Sequence, residues 1–166
     1  TVEQLLVSPL SPFLIMFPKV LAMTSVILAG SALSLFGVLL PLFALPAKGS
    51  LALFFLMTAA YVFTTAGLGL FAATVARNLA QVGMLTILIL APMLFLSGAW
   101  TPPEAMPPWL RGLMYVSPLH YYIDIAFGIM LKGQTARELL PLIGGMLTLG
   151  GAVFGFGLYR FRRQFG

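Results

Sequence analysis

The chain has 166 residues, 60% of them hydrophobic and only 8% charged, with a mean hydropathy of +1.04. Soluble domains carry about 25% charged residues, so this composition belongs to a chain held in lipid. The net charge of +5 does not point to nucleic acid, since the basic residues stand singly apart from Arg160, Arg162 and Arg163, and the absence of cysteine excludes disulfides, thiolate metal sites and a cysteine nucleophile.

In chain order, the first unusual piece is TVEQLLVSPLSP, residues 1–12. Val2, Leu5 and Leu6 can form an apolar face with Glu3 and Gln4 turned to water, which reads as a short interfacial helix broken by Pro9. A frayed end is the alternative. Glu3 and two Ser-Pro turns precede the first long apolar run, so the pattern is not a signal peptide. The chain does not begin with Met and reads as a piece of a longer protein.

Four apolar spans follow, expected at about 20–45, 51–76, 82–100 and 139–159. Ser11 and Pro12 read as the N-cap and first helical residue before the first span, with Pro18 kinking its start. A turn, Pro46-Ala47-Lys48-Gly49-Ser50, leads to the second span, and Pro92 lies inside the third. Each span approaches or exceeds the roughly 20 residues that cross a 30 Å hydrocarbon core. Backbone polar groups in lipid must be paired internally, so the spans are helices.

Residues 101–133, between the third and fourth spans, are too apolar for an ordinary loop and too broken by proline for one crossing. Thr101-Pro102-Pro103-Glu104 fits a capping box. Pro107 and Pro108 start a second short helix, with Trp109, Leu110, Leu113 and Met114 as its apolar stripe. Ser117-Pro118 starts a third, which Gly133 can end. Trp100, Trp109, Tyr115, Tyr121 and Tyr122 collect here, as aromatic residues do at a lipid–water interface. A chain lying on the outer surface and a re-entrant plug over a transport path both fit, and composition favours neither.

Lys19, Arg77 and the terminal arginines fall on one side of four spans, with Glu3. Lys48, Arg111, Lys132 and Arg137 fall on the other, diluted by Glu104, Asp124 and Glu138. The basic excess places both ends of the segment in the cytoplasm and residues 101–133 outside.

The expected span interiors hold no Asp, Glu, Lys, Arg or His. They offer only hydroxyls such as Thr24, Ser25, Thr58, Tyr61, Thr64 and Thr65. Carriers driven by ions usually place an ionisable group or unwound helix near the midplane, so energy is expected from outside the chain. No phosphate-binding loop, HExxH or Gly-x-Ser-x-Gly occurs, and no catalytic, cofactor or metal residue is assigned. His120 and Asp124 stand four apart on one helix face. They read as a pair that neutralises itself at a membrane surface more readily than as a proton relay or half a metal site, because two ligands do not hold a metal. Gly151 with Gly155, and Thr65 with Gly69 and Ala73, form small-residue stripes expected to pack helices within the subunit.

TVEQLLVSPLSP, ATVARNLAQ at 73–81 and FLSGAWTPPEAMPPWLRGLMYVSPLHYYIDIAFGIMLKG from Phe95 together resemble the type-2 permeases of ATP-binding-cassette (ABC) transporters, in the bacterial export branch. One departure is Phe127, where many members carry a basic residue. The resemblance implies an all-α polytopic membrane protein, four spans with a re-entrant outer helical hairpin before the last. It implies a single transmembrane domain that is the C-terminal part of a six-span permease in the inner (plasma) membrane. The implied partners are an ABC ATPase subunit, which would hold ATP and Mg, a second permease half (homo- or heterodimeric) and membrane lipid. Coupling to the ATPase falls on Val2, Glu3, Gln4, Leu5 and Leu6, and less securely on Arg77. The outer gate falls on Thr101, Glu104, Pro107, Pro108, Trp109, His120 and Asp124. The expected function is a non-catalytic permease that moves a drug, lipid, glycan or similar cargo outward. A non-transporting membrane scaffold and a secondary carrier are the alternatives.

Overall fold

A computed structural model describes residues 11–165, and among them every regular element is helical. Helix α1 spans Pro12–Ser34 and runs on through a π-helical stretch, Leu35–Leu39, into the single turn α2, Leu40–Phe43. Ser11 caps α1, its hydroxyl accepting the Leu14 N–H at 3.4 Å. In the π stretch the Leu40 N–H donates to the Leu35 carbonyl five residues back. Pro41, which has no N–H to continue an α ladder, follows at once. Ala44, at φ +47°, reverses the chain.

Helix α3 covers Leu51–Val75, capped by the Ser50 hydroxyl on the Leu53 N–H at 3.2 Å. Helix α4 covers Leu79–Leu96. A 3₁₀ turn at Pro103–Ala105, helix α5 at Pro108–Leu113, a 3₁₀ turn at Met114–Val116 and helix α6 at Pro118–Met130 fill the following connection. Helix α7 runs Leu140–Phe165.

Four stretches are long and apolar enough to cross a membrane: Phe13–Phe43, Leu51–Val75, Leu79–Leu96 and Leu140–Gln164. The first, at 31 residues, is about 46 Å long, well beyond a 30 Å core. It begins before the span read from the sequence and so includes Lys19 in its opening turns. Residues 44–50 and 97–139 lie at one end of the helices, the long-loop end. Ala76–Asn78 and the terminal arginines lie at the other, the short-loop end.

Helices α3 and α7 form the central pair. A Cβ at Gly67 would lie 2.5 Å from the Phe154 Cα, and one at Gly157 would lie 2.7 Å from the Gly67 carbonyl oxygen. Gly150 likewise leaves no room beside Thr64. The stripes read from the sequence are different: among the described residues, Gly69, Gly151 and Gly155 have nothing within 4 Å of a Cβ position. That reading is corrected by rotation. The face of α7 that meets α3 runs through Gly150, Phe154 and Gly157, and residues one position on are turned by about 100°.

The apolar core gathers at the long-loop end, where Leu35, Met57, Ile125, Ile129, Met130, Leu139, Ile143 and Met146 meet. Helices α1 and α4 instead expose large apolar side chains, among them Met23, Val26, Met84, Ile87 and Leu88. Such surfaces suit lipid or other transmembrane helices.

Candidate functional site

At the long-loop end the last turn of α4 prepares a seat for α6. The Ser97 N–H and hydroxyl both donate to the Leu94 carbonyl, at 3.3 and 2.6 Å. The Met93 carbonyl accepts the buried Ser117 hydroxyl at 3.3 Å. Gly98, at φ +83°, turns the chain with Met114 packed against it.

From Pro118, α6 packs against α3, α4 and α7. Ile125 and Ile129 are fully buried. Tyr122 stacks on Tyr61 at a centroid distance of 4.6 Å, and its hydroxyl pairs with that of Thr58 at 2.8 Å. Thr58 and Tyr61 stand about 10 and 15 Å along α3 from Leu51. The far end of α6 returns to the loop before α3. The Lys48 N–H donates to the Met130 carbonyl at 3.1 Å, and Gly49 lies against the Ile129 carbonyl. Gly133, at φ +67°, sits beside Lys48, while the Gln134 N–H donates to the Gly128 carbonyl at 2.9 Å.

His120 is buried and Asp124 exposed, with Nε2 and Oδ2 3.7 Å apart. That separation is an electrostatic contact, longer than a hydrogen bond. The Tyr115 ring meets the imidazole edge-on at 5.6 Å, and the buried Nδ1 has no partner among the described residues. No group of three potential metal ligands occurs among the described residues.

The capping box expected at Thr101–Glu104 does not form. The turn starts one residue later, so its cap position falls on Pro102, which has no side-chain acceptor, and no side chain caps it. Pro107 is the N-cap of α5 and Pro108 its first residue. The expected stripe on α5 is not a buried face: Trp109 and Leu113 are exposed and only Met114 is buried. Arg111 holds this proline-rich turn, its Nε donating to the Pro103 carbonyl at 2.9 Å and its terminal nitrogen to Met106 at 3.4 Å. Sequence reasoning counted Arg111 only as a loop charge. It also missed the Thr58–Tyr122–Tyr61 cluster, for which the one signal was a phenol that needs a partner when buried.

At the short-loop end Asn78 caps α4, its side chain accepting the Gln81 N–H at 2.8 Å, and Gln81 in turn accepts the Arg77 N–H at 2.7 Å. This reciprocal pair fixes a tight elbow with the Arg77 side chain exposed. Val2, Glu3, Gln4, Leu5 and Leu6 lie outside the described residues.

The family model described as ABC-2 type transporter matches residues 1–131. The chain belongs to the ABC-2 type transporter family. Over its full 166 residues it is 38% identical to the inner membrane transport permease YhhJ of Escherichia coli (strain K12), covering 44% of that protein. It is 31% identical over 169 residues to the probable multidrug ABC transporter permease YbhR of the same organism, covering 99% of this chain and 44% of the relative. ABC transporter G family member 20 of Dictyostelium discoideum is 32% identical over 91 residues, 55% of this chain and 12% of that one. The chain thus spans less than half the length of these curated relatives. No solved structure matches it. The stretch matched by the ABC-2 model takes in α1 through α6. The seam between α3 and α7 brings the remaining helix of this ABC-2 chain against the matched part.

Proposed function

We propose that this ABC-2 chain is the four-span part of a six-span permease subunit of an ATP-driven exporter in the inner membrane. The observation that carries the reading is the seating of α6. It is bound to α4 through Ser117 and Met93 and to α3 through Tyr122 and Thr58, so movement of those helices must move it. The contact with Tyr61, about 15 Å along α3, supports a re-entrant outer gate over a chain lying on the surface. The glycine seam lets α3 and α7 move as one body from the short-loop end. Dimerising ATPase subunits, holding ATP and Mg, would supply the push there, and a second permease half would complete the path. The relatives' names, permeases and in one case a probable multidrug permease, make hydrophobic drugs the first cargo to test.

Orientation follows the terminal arginines, with the short-loop end in the cytoplasm. Cysteines introduced at the exposed positions Ala47 and Lys132 are expected to react with an impermeant reagent added outside intact cells, and one at Gln164 is not. Labelling of the Gln164 position from outside rejects the orientation.

Coupling is proposed at Leu5 and Leu6. Burying one leucine at a protein contact contributes roughly 1.5–3 kcal/mol. In the full-length permease, Leu5→Asp with Leu6→Asp is expected to release the ATPase subunit on purification or to abolish its cargo-stimulated turnover. Membrane insertion survives, since the spans are untouched. ATP-dependent cargo movement by the unmodified complex in proteoliposomes tests the transport reading itself. Its absence with an assembled, ATP-hydrolysing complex favours a scaffold. Normal assembly and turnover in the double variant refute the coupling assignment alone.

A further inference from the structure

Near the short-loop end α3 and α7 also meet through aromatic side chains. Phe71 and Phe156 meet with ring centroids 5.8 Å apart. There a cleft of about 460 Å³ opens between Thr74 of α3 and the final turns of α7. Its α7 wall is Phe156, Tyr159, Arg160, Arg163 and Gln164, one face of the helix by spacing. Arg162 is turned about 200° from Arg160 and does not line the cleft.

The chemistry of this wall is cationic and rich in donors. The Arg160 guanidinium carbon lies 5.9 Å from the centroid of the Phe71 ring. Glu104, Asp124 and Glu138, the carboxylates among the described residues, all belong to the long-loop end, so none offsets Arg160 or Arg163. Thr74 is buried and its hydroxyl already donates to the Phe71 carbonyl at 2.8 Å. Among the described residues, the donors left to a ligand are the two guanidinium forks, the Tyr159 hydroxyl and the Gln164 amide. Guanidinium forks match phosphate oxygens, and a tyrosine commonly sits at headgroup level.

We propose that this cleft binds the phosphate group of an anionic membrane lipid in the leaflet at the short-loop end. A lipid fits better than a soluble phosphate because Phe156, about half exposed, carries the cleft directly onto apolar helix surface where an acyl chain lies. The volume is that of a small-molecule site. The proposal needs only that the chain spans the membrane and is independent of cargo and of ATP coupling.

The test uses the full-length permease purified in uncharged detergent, with its thermal unfolding midpoint followed as phosphatidylglycerol, phosphatidylcholine or inorganic phosphate is added. Phosphatidylglycerol is expected to raise the midpoint, and the other two are not. Arg160→Gln with Arg163→Gln should raise the phosphatidylglycerol concentration needed for half the shift about thirtyfold. Arg163→Gln alone, which keeps Arg160 on Phe71, should raise it about fivefold and serves if the double variant does not fold. Arg162→Gln should change nothing. An equal loss in Arg162→Gln shows diffuse charge and overturns the site. An equal response to inorganic phosphate overturns the lipid assignment in favour of a soluble anion. An unchanged lipid response in the double variant, with the ATPase subunit lost on purification, overturns it in favour of a protein contact.

Discussion

Gly67→Ala is expected to destabilise the folded permease, while Gly69→Ala, two residues on in the same helix, is expected to leave it unchanged or more stable. The added methyl at Gly67 would lie 2.5 Å from the Cα and 2.7 Å from the backbone nitrogen of Phe154. Neither atom can rotate away, so α7 itself must shift. Overpacking of this kind costs about 1–3 kcal/mol, and a backbone obstacle puts the change at the upper end. Gly69 has nothing within 4 Å of the same position, and alanine gains up to about 1 kcal/mol of helix propensity over glycine. The two substitutions are chemically identical, yet only the one at Gly67 is expected to destabilise. Thermal or SDS denaturation of the purified full-length variants measures both. Equal effects of the same sign would sink the packing assignment.

On the proposed export reading, Ile125→Asp is expected to stop transport while leaving the ATPase subunit attached. Ile125 is fully buried among the residues that join α6 to α3 and α7. A carboxylate there loses its water without gaining a partner, a change that breaks local packing. The milder Ile125→Ala is expected to cost about 2–5 kcal/mol in that core. Phe127, two residues on and exposed, is the control: Phe127→Asp should retain most transport. The seam at Gly67 and Gly157 and the elbow at Asn78 lie elsewhere, so assembly should survive. Cargo flux and ATPase co-purification are to be compared for the three variants. Undiminished flux in Ile125→Asp at normal protein levels would refute a working role for α6.

The four spans were legible because length and apolar content alone specify a crossing helix, and the Ser11 cap because serine before proline has a local meaning. The family was legible in the proline-rich region and the short elbow, and the match over residues 1–131 bears it out. The packing glycines were not legible. Gly150 and Gly151 are equivalent in sequence, and only the rotation of α7 against α3 separates a contact from an open surface. The bond between Thr58 and Tyr122 joins residues 64 apart, beyond any local pattern. The capping box failed because spacing identified the residue types without fixing which proline begins the turn. For the coupling residues Val2–Leu6, only the sequence speaks.

The π-helical stretch at Leu35–Leu39 has a consequence for how the gene can vary. A π turn stores one residue more than an α ladder requires. Deleting a codon here, at Gly37 for example, converts the stretch to plain α-helix and keeps Pro12–Ser34 in place. Because the π turn had absorbed the extra residue, α2 and the reversal at Ala44 stay in phase with α1. The same deletion in mid-α3 would turn one side of the Gly67 seam away from its partner. Single-residue length changes can therefore accumulate near the end of the first span and not in the second.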